Sequence, residues 1–436
     1  MGARETALGA LIACRKDGAW ANGVMKEYIQ RDRLDGRDSA LATRLVYGVI
    51  QNRGLLDFYL RQLLTGKLEN LQPVVRDILH MGLYQLYQMD KIPESAAVNE
   101  SVLLAKKYSK NPKAPALING VLRNAQRNRE QLKQPVSYAD RYSHPEELIA
   151  LLKASVPKGK LEPMLIANNA APQTVIQVNT LKTTVKELLD ILETEKIAAQ
   201  PHRWMPNCLV LDRTGNLEQL KSFQDGLFYV QDPASKLSVL CAELRKGWRV
   251  LDCCAAPGGK SFAAAMETQD SGKILSCDLH QHKIPLMQKG AQRLGIQNHF
   301  VRQQDASVFV PEWESTMDAV IVDAPCSGYG IIRKKPDIRY KDPKAMEQLP
   351  QLQLEILKNQ ARYVKPGGVL MYSTCTLLKR ENEDVVTAFL AEHPQFALEA
   401  LPLPEVFPQN TTGMLTLIPG EYDTDGFFIC RMRRSE

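Results

Sequence analysis

Two turns in the C-terminal half carry cysteine where cysteine can react. One reads Asp323-Ala324-Pro325-Cys326-Ser327-Gly328 and the other Tyr372-Ser373-Thr374-Cys375-Thr376, each after a short apolar run that reads as a strand. Proline, serine and threonine break the strand ladder there, so both thiols are expected just past the carboxyl ends of neighbouring strands, where open α/β sheets bind ligands. Buried cysteine is more often a small hydrophobe, and Cys241, Cys277 and Cys430 fit that plainer role. No metal is expected: His280 and His282 have no partner pair at ligand spacing.

A third turn precedes these two. The run Leu251-Asp252 leads into Cys254-Ala255-Ala256-Pro257-Gly258-Gly259-Lys260-Ser261, where glycines let the backbone approach a ligand and free the amides of the next helix. Gly259-Lys260-Ser261 is the ending of a phosphate-binding P-loop, but the opening glycine of that motif would fall at Cys254. Asp278 ends the second strand, placed to accept hydrogen bonds from ribose hydroxyls, and Asp305 ends the third, where it could meet an adenine amino group. Each carboxylate alone could be a helix cap. Three consecutive strand ends of this kind describe a nucleoside pocket without a pyrophosphate cradle, which suits S-adenosylmethionine. A thiolate beside a methyl donor suggests covalent activation of a poor carbon nucleophile.

The elements that must position these groups begin near Trp248. Arg249–Cys253, Lys273–Cys277, His299–Arg302, Ala319–Val322 and Gly368–Ser373 are apolar strands separated by helical patterns, which predicts a parallel sheet covered on both faces. Ahead of them, from His144 to about Gly226, a helix near 145–156, a strand Thr174–Val178, a helix Thr183–Glu195 and a strand Cys208–Leu211 read as a small α+β module. From Thr6 to about Glu130 apolar residues recur at helical spacing, as in Leu41, Leu45 and Val49 or Leu117, Val121 and Leu122, with breaks expected at Gly36, Gly54, Gly66, Pro73, Pro93 and Pro112. The expected domains are 1–132, 133–230 and 231–436.

Composition sets the bounds. The chain has 436 residues, 44% of them hydrophobic, and 55 Lys and Arg against 49 Asp and Glu leave a net charge of +6. That excess is too mild for a basic nucleic-acid coat, so any polyanion site is local. Nine cysteines without framework spacing point to a reducing compartment, and no apolar stretch reaches membrane-spanning length. Two local basic stretches stand out: Lys106, Lys107, Lys110, Lys113, Arg123, Arg127 and Arg129 in the helical leader, and Arg333, Lys334, Lys335, Arg339 and Lys341 after Cys326. A solvated charged surface and a phosphate-binding face fit both equally well.

Taken together, Ala255 to Lys260, Asp323 to Ser327 with Arg333, Pro336 and Asp337, Thr374-Cys375 with Glu381, Asn382 and Glu383, and Asp425 to Phe428 resemble the motif series of the bacterial RNA cytosine-C5 methyltransferases. The stretch Leu117 to Arg123 resembles the last helices of the NusB family, which makes the whole chain similar to the RsmB (Fmu/Sun) type. The resemblance implies a multidomain protein: an all-α NusB-like RNA-binding domain, an α+β (RRM-like) connecting module, and a Rossmann-like class I methyltransferase domain using S-adenosylmethionine. It implies Cys375 as nucleophile, Cys326 in release, Asp323 on the cytosine edge and Lys260 as electrostatic support. Cys254, Ala255, Ala256, Pro257, Gly258, Gly259, Lys260, Asp278, Asp305 and Asp323 would hold the donor, and Arg333, Lys334, Lys335 and Arg339 the RNA. The implied product is 5-methylcytidine in 16S ribosomal RNA, at cytosine 967, made in the cytoplasm by a monomer acting on a subunit not yet fully assembled. Transfer RNA as substrate, a non-catalytic RNA-binding platform and a P-loop phosphotransferase are the competing readings.

Overall fold

The computed structural model describes residues 1–16, 18–212 and 214–436, and they form two compact units, each taken separately below. The first comprises 1–154 and 332–341. Its helices are α1 (Ala3–Lys16), α2 (Ala21–Asp32), α3 (Gly36–Leu63), α4 (Pro73–Gln88), α5 (Glu94–Tyr108), α6 (Ala114–Arg127) and the short α7 (Tyr138–Tyr142), with α8 (Glu146–Ser155) at its end. The starts follow local chemistry: Asp35 caps α3 by accepting from the Asp38 amide, and Pro73 occupies the first turn of α4, where its missing N–H costs nothing. Leu8, Leu45, Val49, Ile78, Val98, Ile118 and Leu122 meet in one core.

The break expected at Gly54 is not there, because α3 runs through it to Leu63. A side chain at Gly54 would lie 3.0 Å from the Ser143 Cα and 3.1 Å from the Ala139 carbonyl oxygen, so this glycine lets α7 approach rather than ending a helix.

The second unit comprises 155–331 and 342–436. It opens with α9 (Leu161–Asn169), then β1 (Thr174–Val178), α10 (Val185–Thr194), β2 (Ala198–Pro201), β3 (Cys208–Asp212), α11 (Lys221–Gln224) and β4 (Phe228–Val230). The strands form an antiparallel sheet in the order β2-β3-β1-β4. Leu188 and Leu192 of α10, which starts in a capping box of Thr184 and Glu187, pack on Ile176, Leu209 and Phe228.

The rest of the unit is α12 (Pro233–Leu240), β5 (Arg249–Asp252), α13 (Gly259–Glu267), β6 (Lys273–Asp278), α14 (Ile284–Leu294), β7 (His299–Gln303), β8 (Met317–Asp323), α15 (Leu349–Ala361), β9 (Val364–Thr374), α16 (Glu383–Glu392), β10 (Phe396–Leu398), β11 (Met414–Leu417) and β12 (Phe427–Arg434). The sheet order is β10-β12-β9-β8-β5-β6-β7, with β11 beside β12. Its stretch from β9 to β7 is parallel as the sequence predicts, whereas β12 adds to β9 antiparallel and makes the sheet mixed. Alternate residues serve opposite faces: Val250, Ile274 and Ile321 join one core, and Leu251, Leu275 and Val322 join the other, with Ile356, Leu357 and Phe389. β5 has β6 on one side and β8 on the other, so the order reverses at the end of β5, where a doubly wound sheet opens a crevice.

Candidate active site

β8 and β9 run parallel with Asp323 level with Ser373, so the turns that follow them emerge side by side. The Ala324 amide donates to the Ser373 carbonyl (2.9 Å) and the Gly330 amide to the Cys375 carbonyl (2.9 Å). Position 330 must be glycine, since a Cβ there would sit 2.0 Å from the Gly426 oxygen and 2.8 Å from that of Cys375. The Ser327 and Thr376 hydroxyls lie 2.7 Å apart. These ties bring Cys326 and Cys375, 49 positions apart in the chain, to an Sγ–Sγ distance of 3.2 Å. Both cysteines are partly exposed. The contact with Cys375 pushes the Cys326 thiol well above its ordinary range, with removal from water and the Glu381 and Asp323 carboxyls acting in the same direction.

Lys260 is not a phosphate ligand in this arrangement. Its buried ammonium donates to Asp323 Oδ2 (2.7 Å) and to the Ser235 hydroxyl (2.9 Å), and sits 4.9 Å from the centre of the Phe427 ring. Asp323 Oδ1 accepts from the Ser373 hydroxyl (3.0 Å). A buried cation needs such a partner, and pairing fixes the Asp323 carboxylate at the cavity edge.

A cavity of about 350 Å³ opens at the strand ends. Of the residues expected to hold the donor, Cys254, Ala256, Asp278, Asp305 and Asp323 line it. Ala255, Pro257, Gly258, Gly259 and Lys260 do not: they build the turn behind it, with Ala255 packed on Ile284 and Met287 and Gly259 opening α13. Asp278 accepts from the Ala256 amide (3.3 Å) and the His280 amide (3.0 Å) and pairs with Lys283 (3.4 Å). Asp305 caps the next turn through the Ser307 amide (2.9 Å) and hydroxyl (2.7 Å).

The lining also includes residues the sequence did not assign to a donor site: Leu279, His280, Lys283, Pro325, Leu352 and Ile356. The acidic strand end preceding Leu279 is their nearest sequence signal. Leu279 is 54% exposed at the wall, an apolar surface suited to the face of a purine. Lys283 pairs with Asp278 and Lys260 with Asp323, which leaves the Asp305 carboxylate in excess and makes the cavity less favourable to a polyphosphate than to a cation. That charge balance disfavours a P-loop phosphotransferase and fits S-adenosylmethionine, whose sulfonium is positive. Among the described residues no group of three or more His, Cys, Asp or Glu could hold a metal ion.

The four basic residues expected to bind RNA all fall in the first unit and have different surroundings. Arg339 is a correction: it is 2% exposed and donates to the carbonyls of Gln51 (3.0 Å), Tyr142 (3.3 Å) and Ser143 (3.2 Å), so it anchors the helical unit and cannot meet a phosphate. Lys335 is exposed, and Arg333 and Lys334 are half-buried. Lys334 and Lys335 line a cavity of about 170 Å³ with Trp20, Tyr47 and Asp337. Trp20, 48% exposed, has the Lys341 ammonium 4.2 Å from its ring centre. In the leader, Lys106, Lys110 and Lys113 are exposed, while Lys107 pairs with Glu5 and Arg129 lies 5.1 Å from the Tyr87 ring centre.

Comparison with known proteins finds three matching regions. Residues 239–433 match the 16S rRNA methyltransferase RsmB/F family, residues 1–127 the NusB family, and residues 144–218 the ferredoxin-like domain of RsmF/B-like methyltransferases. The chain is 36% identical to a probable ribosomal RNA small subunit methyltransferase B of Bacillus subtilis, covering 99% of this chain and 98% of the relative. It is 32% identical to the probable enzyme of that description from Synechocystis, over 99% of both. The crystal structure of PH0851 superposes with a TM-score of 0.82 at 25% identity over 99% of both chains. No helix among the described residues is long and apolar enough to cross a membrane. A NusB-like helical domain, a ferredoxin-like module and a methyltransferase sheet in this order, with full-length identity to both relatives, mean that the chain belongs to the ribosomal RNA small subunit methyltransferase B family.

Proposed function

We propose that this ribosomal RNA methyltransferase acts on carbon 5 of a cytosine in 16S ribosomal RNA through a covalent adduct on Cys375. The observation that carries the reading is the 3.2 Å contact between the two thiols at the ends of β8 and β9. S-adenosylmethionine supplies the methyl group as an electrophile. Carbon 5 of cytosine is not nucleophilic until a thiolate adds to carbon 6, which turns the 5,6 double bond into an electron pair available at carbon 5. Asp323, held by Lys260 and Ser373, is placed to take the protonated edge of the ring and stabilise the charge that develops there.

The thiol contact supports this division of roles. It pushes the Cys326 thiol up, which suits a group that keeps its proton while its partner attacks. When Cys375 becomes a thioether, the contact that raised Cys326 is lost. Its proton then passes to solvent and the thiolate removes the proton from carbon 5. The C5–H pair restores the double bond and expels Cys375.

The cytosine must be unpaired or flipped to reach such a cleft. Trp20 with Lys334 and Lys335 combines an aromatic surface with cations, the composition that binds unpaired nucleotides, and supports the RNA reading of that segment. Cytosine 967 and an unassembled subunit, the target that the family resemblance implies, are part of the proposal. Bisulfite sequencing of ribosomal and transfer RNA from a deletion strain tests it. A protected cytosine lost from 16S RNA is the expected result; loss confined to transfer RNA would replace the substrate.

A further inference from the structure

Glu381 and Asn382 are fully buried beside the two cysteine turns. Glu381 Oε2 accepts from the Ser327 amide (2.9 Å) and from Gln353 Nε2 (3.0 Å), and the same Gln353 nitrogen donates to the Pro325 carbonyl (2.9 Å). The peptide is thus held on both sides of Cys326. Asn382 does the same for the other turn: its Oδ1 accepts from the Thr374 hydroxyl (2.6 Å) and its Nδ2 donates to the Thr376 carbonyl (3.1 Å). The Tyr372 hydroxyl donates to the Glu381 carbonyl (2.6 Å), fixing the dipeptide to β9.

We propose that the adjacent side chains Glu381 and Asn382 set the contact between the two thiols, Glu381 positioning Cys326 and Asn382 positioning Cys375. The division into a release side and an attack side rests on the function proposed above; the clamp itself does not. Two thiols in contact tolerate little displacement, and hydrogen bonds on both flanks remove the freedom that would separate them.

The experiment uses the full chain in four variants, Glu381→Ala, Glu381→Gln, Asn382→Ala and Asn382→Asp, with donor binding as the check on folding. Dibromobimane, which fluoresces only after bridging two thiols, reads the contact without any catalysis, and the signal lost in Cys326→Ala defines the part due to this pair. Both alanine variants are expected to lose most of it. With undermethylated 16S RNA and donor, Glu381→Ala should accumulate covalent complex roughly tenfold, and Asn382→Ala should form it roughly tenfold more slowly, about the factor that one strong hydrogen bond supplies. Glu381→Gln keeps the acceptor and should restore release. Asn382→Asp keeps the acceptor for Thr374 and loses the donor to Thr376, so it should fall between. Bridging unchanged in the alanine variants overturns the clamp, and so does equal slowing of formation and release in both. Failure of the parent chain and of Cys326→Ala to form any adduct would instead overturn the thiol mechanism, with the bridging result still deciding the clamp.

Discussion

The turns after β8 and β9 are built alike and leave in different directions. Each puts one cysteine just past a parallel strand, and each is tied to the other through backbone amides and the Ser327 and Thr376 hydroxyls. Beyond Cys326 the chain runs into 332–341, which belongs to the helical unit; beyond Cys375 it turns back to Glu381 and Asn382 and enters α16. Cys326 also sits in the field of Glu381 and Asp323, which raise it on top of the contact with its partner. Identical side chains in similar turns thus meet different surroundings: position in the sheet brings the two thiols together, and the elements that follow each turn set it apart.

Exchanging the comparison's two members for alanine should have the largest effects and opposite ones. Cys375→Ala removes the atom that adds to carbon 6, so neither methylation nor a covalent RNA complex is expected. Cys326→Ala leaves attack possible and slows breakdown, so a protein–RNA species stable to denaturing electrophoresis should accumulate with donor present. A stable adduct in the Cys375 variant and none in the Cys326 variant would exchange the roles.

The exit from the Cys326 turn is tested at Arg339. Removing its guanidinium takes a donor from three carbonyls, of which that of Tyr142 keeps His144 Nδ1 and that of Ser143 keeps the Tyr340 hydroxyl, so Arg339→Ala should cost on the order of 2 kcal/mol in urea unfolding of the helical unit. Donor affinity should not change. A variant of unaltered stability that loses RNA affinity would return Arg339 to the phosphate role its sequence context suggested.

Arg339 also shows where sequence reading stops. The strand ends were legible because each apolar run closes in a turn of Gly, Pro or Asp, and Asp278, Asp305 and Asp323 do reach one cavity. The charge of Arg339 read as surface because nothing near it in sequence reveals that carbonyls from residues 51, 142 and 143 converge on it. Lys260 ends a P-loop-like string, and only the fold shows its ammonium spent on Asp323. Leu279 and Ile356 carry no signal beyond being apolar; a cavity wall and a core look the same in one dimension. The compact helical unit likewise takes in 332–341, a long-range packing that local patterns do not encode.

The donor side of the cleft should be independent of both thiols. Asp278→Ala removes a carboxylate that the Ala256 and His280 amides and Lys283 also use, and is expected to weaken S-adenosylmethionine binding by about 2 kcal/mol in calorimetry. Thiol bridging should be unaffected. Unchanged donor affinity would remove Asp278 from the donor site.

The smallest effect belongs to the segment that follows Cys326, where Lys334 and Lys335 stand beside Trp20. Each lysine that neutralises a phosphate of a single strand adds about 0.7 to the slope of log affinity against log salt. Replacing both by alanine should therefore flatten that slope by roughly 1.4 if both make contacts, at a cost of about 1 kcal/mol in RNA affinity at moderate salt. Trp20→Ala should lower affinity by a similar amount, through lost stacking, while leaving the slope as it was. The chain after Cys375 carries cations of its own at Lys379, which is exposed, and Arg380, so Lys379→Ala is the matched control and should change neither quantity. A slope unchanged by loss of Lys334 and Lys335 would show that their charge serves the helical unit alone. A slope altered by Lys379→Ala would show that RNA runs along both exits.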